Sequence, residues 1–243
     1  MPTYAVLGAT GNSPDRKINA YCRSKPKLLR LVPRIADNKQ VEIFEGSLND
    51  IKLVANCLRG TRAAFLAVAS TANVPGCTIA QDTARQIITA CETLKRENER
   101  RPKLRVLSSA SVDHSLMSDQ PALLLRVLYW AFQYVYDDLK AAERFLRSQE
   151  DLVSTTFIRP GALCSDEQRG HELDLQHAKF PLSFLDLAAG MLEVADDDSG
   201  RYDMKGVAVS AMAKDVGFPR EAPLAMLIRL LFYLFPWSYR FLG

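Results

Sequence analysis

The chain opens on an apolar run that stops at a glycine: Tyr4-Ala5-Val6-Leu7-Gly8-Ala9-Thr10-Gly11-Asn12. A strand ending so early in a glycine turn is how a dinucleotide-binding α/β unit begins. Gly8 allows the tight turn, and Gly11 lets the main chain come close to a pyrophosphate. A helix normally follows, and its first N–H groups hold the anion. Here Asn12-Ser13-Pro14-Asp15-Arg16-Lys17 leads straight into a second strand-like run, Ile18 to Cys22. A parallel crossover takes about a dozen residues or more. Only these six are available, and one is a proline. The third glycine of the fingerprint is also absent, so the motif is half present.

Beyond that opening, strand and helix patterns alternate. Pro26 to Asp37 has helical spacing, with Pro33 set to kink or split it. Val41 to Gly46 reads as a third strand, and Ser47-Leu48-Asn49-Asp50 caps a helix that runs to Leu58. Ala63 to Ala69 is wholly apolar, as a buried parallel strand should be. Thr78 to Leu94 is an amphipathic helix, Leu104 to Ser111 a fifth strand, and Val153 to Ile158 a sixth. Pro181 to Val194 reads as a short helix and Tyr202 to Ser210 as the last strand. The pattern predicts an α/β fold: a Rossmann-like parallel sheet with helices on both faces and a shortened first crossover. One domain spans 1–243, with 161–243 as its substrate or lid portion.

The carboxyl end of the fifth strand carries Ser108-Ser109-Ala110-Ser111. Ligands of open parallel sheets bind outside such strand ends. Tyr136 and Lys140 stand four apart, on one face of the following helix. A nearby ammonium favours phenolate and lowers the phenol's pKa. Such a tyrosine can exchange a proton with a carbonyl–alcohol pair during hydride transfer. Ser109 or Ser111 would orient the oxygen, and Lys140 would also hold a cofactor ribose. Arg23, at the end of the second strand, can reach an adenosine 2′-phosphate, which favours NADP with NAD as the alternative. Pro160-Gly161 ends the sixth strand in a turn fit to sit beside a nicotinamide.

Other features narrow the field. A net charge of +3 without a basic run gives no reason to expect nucleic acid. The five cysteines lack ligand spacing and read as buried thiols of a reduced, cytoplasmic protein, with no metal site. His171 and His177 fall in a polar loop; His114 is the histidine nearest the serines. Met1 to Tyr4 runs directly into the first strand, which leaves no room for a signal peptide. Pro121 to Val135 is apolar nearly all round, so it reads as core, with a wall for an aromatic substrate as the alternative. Glu221 to Gly243 is apolar too, but Arg229 and Pro236 break it below the length of a membrane span. It suits a buried closing helix, a homodimer face or a weak membrane-surface anchor.

Taken together, several tokens resemble the NmrA-like, atypical short-chain dehydrogenases, and within them the fungal averufin oxidase A-type proteins. They are Tyr4–Asn12, Val74-Pro75-Gly76-Cys77, Ala80 to Arg85, Ser108 to His114, Tyr136/Lys140, Phe157 to Leu163, Pro181 to Ala188 and Gly200 to Met204. The similarity runs nearly end to end. It implies an NAD(P)-binding Rossmann fold and a role in fungal aromatic polyketide pathways, those to anthraquinones, xanthones and relatives. Carried over by position, Gly8, Thr10, Gly11 and Asn12 would bind pyrophosphate and Arg23 the 2′-phosphate. Ser109 or Ser111, Tyr136 and Lys140 would form the reductase site. Family members have a full phosphate-binding helix where this chain passes directly from Asn12 to Ser13. Its loss should remove N–H donors and a helix dipole, and should expose one sheet face to water. The expected activity is NAD(P)H-dependent redox chemistry on a small aromatic polyketide. Its rivals are a cofactor-free cyclase or isomerase and a non-enzymatic nucleotide sensor, both of which the shortened crossover favours.

Overall fold

The computed structural model describes residues 1–8, 16–68, 70, 73–164, 167–213 and 222–239. β1 (Thr3–Leu7) and β2 (Lys17–Cys22) pair in parallel, Tyr4 opposite Ile18. The nine residues 8–16 between them are too few for a helical crossover. They are enough for the return itself: nine residues reach about 30 Å extended, and the strand to be retraced is about 17–20 Å long.

The chain then winds outward. α1 (Lys25–Leu31) is capped by Ser24, whose hydroxyl accepts the Lys27 N–H. The helix stops short of Pro33, which starts a separate 3-10 turn. β3 (Val41–Glu45) and α2 (Ile51–Leu58) follow, with Asp50 as the N-cap of α2. Next come β4 (Ala63–Leu66), α3 (Ile79–Arg96) and β5 (Lys103–Leu107). α4 (Ala122–Ala131) and α5 (Gln133–Arg147) lead to β6 (Thr155–Ile158). After β7 (Leu163–Cys164), β8 (His171–Asp174) and β9 (Leu182–Ser183) come α6 (Phe184–Asp196), β10 (Gly206–Ala211) and α7 (Ala222–Leu234). Among the described residues the main sheet has eight strands in the order β3-β2-β1-β4-β5-β6-β10-β8. All its pairs are parallel except β10 with β8. The order reverses between β1 and β4, so the ligand crevice of such a sheet lies beyond those two strand ends.

One face of the sheet packs on α2, α3 and α5; the other meets α1 and α6. That second face is the one a first crossover helix would cover, and the expectation of its exposure is corrected here. Tyr4, Val6, Ile18 and Ala20 are each at most 9% exposed. Leu28 and Ile35 from one side and Leu187, Met191 and Val194 of α6 from the other join the same cluster. Tyr4 also donates its hydroxyl to Asp196 at the end of α6, which Arg16 pairs as well.

Other corrections concern the second half. The stretch 121–135, read as core, is parted at Phe132, where α4 ends, and Ala131 is the buried residue of α4. α4 packs mainly on α7 rather than on the sheet, so its outer residues face water; Leu123 is 74% exposed. His171 lies not in a loop but in β8, an antiparallel edge strand. The last strand begins at Gly206, after a turn in which Met204 takes φ +59. The closing helix is only partly covered, with Leu224, Leu227 and Leu234 each more than 60% exposed.

Candidate active site

The serine cluster is built by two turns meeting at a strand end. β5 stops after Leu107, and Ser109 caps a 3-10 turn over Ala110–Val112 by accepting the Ser111 N–H at 3.3 Å. The Pro160 carbonyl, beyond the end of β6, accepts the Ala110 N–H at 2.8 Å. Main-chain bonds therefore hold the serines in place. They sit on the same edge of the sheet as Gly8.

α5 is hung against this cluster by Asp138, which is buried. Its carboxylate accepts the Ala80 N–H at 2.8 Å, the Gln81 N–H at 3.1 Å and the Gln81 side-chain amide at 3.0 Å. Thr78, the N-cap of α3, makes no capping bond of its own, so α5 satisfies the N-terminus of α3. This fixes the rotation of α5 and aims Tyr136 at the serines. The Tyr136 phenol is buried, with the hydroxyls of Ser111 and Ser109 beside it. Burial pushes its pKa up; the two serines and the charge of Arg229 offset only part of that.

The Lys140 ammonium is not placed to lower that phenol. It lies 4.5 Å over the ring of Tyr129 and 3.4 Å from the Tyr129 hydroxyl. Tyr129 donates to Asp137 at 2.6 Å, and burial together with that bond pushes its phenol up to about 12. The cation acting on Tyr136 is Arg229 of α7, whose guanidinium stands 4.4 Å over the Phe132 ring. Phe132 stacks on Tyr136 with centroids 5.5 Å apart, and the Tyr129 ring lies 5.9 Å from Tyr136. Tyr136 thus sits in an aromatic wall.

Beneath the serines runs an ion network that the sequence did not reveal. Ser108 donates to Glu143 at 2.6 Å, Glu143 accepts from Arg159 at 2.5 Å, and Arg159 pairs Asp113. Burial works to raise the Asp113 carboxyl, but the Ser115 hydroxyl and Arg159 hold it below the usual range. Breaking one partner out of such a buried pair costs about 3–5 kcal/mol. Glu143 had a signal, since it follows Lys140 by three and shares its face. Arg159 had only its place beside Pro160, and Arg229, 93 residues beyond Tyr136, had none.

On the β1 side, Gly8 takes φ +87, and a Cβ there would meet the Ala67 carbonyl oxygen at 2.7 Å. Only glycine fits where the ends of β1 and β4 close on one another. Arg23 is exposed just past β2. Thr10, Gly11 and Asn12 lie outside the described residues. His114 is exposed, His171 pairs Glu193 and His177 pairs Asp119. Among the described residues no His, Cys, Asp and Glu group could hold a metal. A gap of about 20 Å³ between β4, β5, α3 and α5 touches Ser108 and Glu143. It has room for one water, not a substrate.

A family model described as NAD(P)H-binding matches residues 8–198. The chain belongs to the NAD(P)H-binding family. Oxidoreductase aflX of Aspergillus parasiticus is 48% identical, covering 100% of this chain and 96% of its own. Oxidoreductase ordB of Dothistroma septosporum is likewise 48% identical, with 100% and 96% covered. The two alignments run over 255 and 256 positions against 243 residues here, so both relatives carry residues this chain lacks. The shortfall is about the size of one crossover helix. A short-chain dehydrogenase/reductase of Veillonella parvula, solved in complex with NADP, matches with a TM-score of 0.64. It is 20% identical over 90% of this chain and 99% of that one, and so shows the fold.

The described residues fit the family's nicotinamide dinucleotide. A glycine without room for a Cβ stands at the switch point, and a hydroxyl cluster stands beyond β5.

Proposed function

We propose that this chain is an NAD(P)H-dependent oxidoreductase acting on an aromatic polyketide intermediate, of anthraquinone or xanthone type, in a fungal pathway. One observation carries the reading: a buried phenol beside two serine hydroxyls at the carboxyl end of β5. The kinship with fungal oxidoreductases supports the redox class. The Tyr129, Phe132 and Tyr136 rings support a flat aromatic substrate.

The nicotinamide, when bound, supplies or accepts the hydride. Tyr136 donates a proton to the oxygen of the ring carbonyl as it becomes an alcohol. Burial makes it a weaker acid than a free tyrosine, and the serine hydroxyls and the Arg229 charge, which favour the phenolate, offset part of that as the proton leaves. Ser109 and Ser111 orient that oxygen and bond the tyrosine as its proton leaves. Lys140 holds the ribose, Gly8, Thr10, Gly11 and Asn12 meet the pyrophosphate, and Arg23 takes the 2′-phosphate. Pro160 sets the floor beside the nicotinamide. The chain acts as one domain over 1–243, with 161–243 on the substrate side. We place it in the cytoplasm, in keeping with five cysteines that form no disulfide.

The nine-residue link between β1 and β2 favours a second reading, a cofactor-free cyclase or isomerase with the same pocket. Titration with NADPH and NADH, following nicotinamide fluorescence and thermal stability, separates the two. A ligand at a hundred times its dissociation constant stabilises the fold by about 2.7 kcal/mol. Tyr136→Phe should abolish turnover and leave NADPH binding nearly intact. Absence of binding by the folded protein favours the second reading; unchanged turnover removes Tyr136 from the mechanism.

A further inference from the structure

α4 and α7 pack against each other, with Trp130 and Tyr233 stacked at 6.0 Å between centroids. The inner side of α7 carries Arg229 and Phe232, toward Phe132 and the body of the protein. Its outer side shows Leu224, Leu227, Ile228 and Leu234, each more than 40% exposed. These positions recur at i, i+3, i+4 and i+10, one stripe of a helix. Phe235 and the 65%-exposed Trp237 extend it past the helix end, and α4 adds Leu123 and Leu124. Soluble monomers rarely show an apolar face of this extent.

Charge singles out the surface that would cover it. Residues 120–136 and 222–243 hold no aspartate or glutamate, and their charges are Arg126, Arg229 and Arg240. The whole chain has 31 lysines and arginines against 28 acids; without these three arginines it holds 28 of each. Of these three, Arg126 lies on the exposed side of α4, Arg229 turns inward to Phe132, and Arg240 lies outside the described residues. Arg126 is exposed, its guanidinium 4.8 Å over the Trp130 ring. Leucines on one face, tryptophan and tyrosine at the edges, arginine and no acid make up the composition of an interfacial membrane helix. Among the described residues no helix is long and apolar enough to cross a membrane.

We infer that the α4–α7 face docks on an anionic lipid surface, with α7 lying in the interface. A second copy of this chain would set leucine against leucine and find no acid within either apolar segment for Arg126, the nearest in sequence being Asp119 and Asp137 at the margins of α4. The proposal is independent of the redox reading, since vesicle binding requires neither cofactor nor turnover.

The test is sedimentation of the full chain with vesicles of phosphatidylcholine alone and of phosphatidylcholine with phosphatidylserine. The emission of Trp130 and Trp237, the protein's two tryptophans, is followed in parallel. The expected result is binding to the serine-lipid vesicles, a blue shift of the emission, and release by salt. Leu224→Glu with Leu227→Glu should weaken binding about tenfold or more. Arg126→Gln should weaken binding to the anionic vesicles alone. Both variants change exposed side chains and are checked for an unaltered melting curve. Failure to bind either vesicle overturns the inference, whether the protein is a monomer or a dimer that the leucine variant dissociates. Equal binding to both vesicles, insensitive to salt, overturns the choice of an anionic surface.

Discussion

Removing the Asp138 carboxylate should unfasten α3 from α5, and the structure sets the size of the effect. In Asp138→Ala the N–H groups of Ala80 and Gln81 lose a charged acceptor within a buried contact. A hydrogen bond to a charged group contributes about 1.5–3 kcal/mol. The loss of negative charge at the α3 N-terminus adds about 0.3–1 kcal/mol. Thr78, whose hydroxyl now donates to Asp82 at 2.8 Å, can swing back to cap one N–H and recover about 1 kcal/mol. With two such bonds, the net expectation is a destabilisation of about 2–6 kcal/mol for alanine, and about half that for Asp138→Asn, which keeps one acceptor oxygen. Urea unfolding followed by far-ultraviolet circular dichroism measures both. Because Asp138 follows Tyr136 by two residues, the asparagine variant should also lower kcat while the KM for NADPH hardly moves. An alanine variant within about 1 kcal/mol of the parent would refute the capping argument, since ordinary surface changes fall in that range.

A Cβ at Gly206 would run into the Arg159 guanidinium, so Gly206→Ala should push Arg159 off Glu143 and cost about 3–5 kcal/mol. A melting curve like the parent's would show that the pair is not held as described. Gly8→Ala should lose about 1–2 kcal/mol or more to left-handed strain and contact with the Ala67 carbonyl, and NADPH binding with it; retained affinity in a fluorescence titration would contradict this. Burial pushes the Cys57 and Cys91 thiols from 9.0 up to about 12. Their folded pKa values lie above the unfolded ones, so their contribution is complete below pH 9.0 and fades as pH climbs toward about 12. The urea midpoint should therefore fall across that window, and a constant midpoint would refute it.

The strand and helix pattern was legible because it rests on local chemistry. The apolar run Ala63 to Ala69 reads as a buried strand, which the structure forms over Ala63–Leu66, and Pro33 stops α1. The β1 glycine turn and the serines after β5 were visible for the same reason, and with them the crevice of a parallel sheet. Tertiary structure decided which charges meet. The Tyr136/Lys140 spacing put both on one helix face, but α4 folds Tyr129 under the ammonium and α7 delivers Arg229 to Tyr136 from 93 residues away. The Glu143–Arg159–Asp113 chain, buried at its first two members, joins α5, the end of β6 and the loop after β5, and no local pattern records such a meeting. Burial likewise set the Tyr136 phenol above its ordinary pKa, where spacing alone argued for the reverse. Periodicity reports the face a residue occupies along its own element; what that face meets depends on segments distant in the chain, and desolvation and charge pairing depend on that meeting.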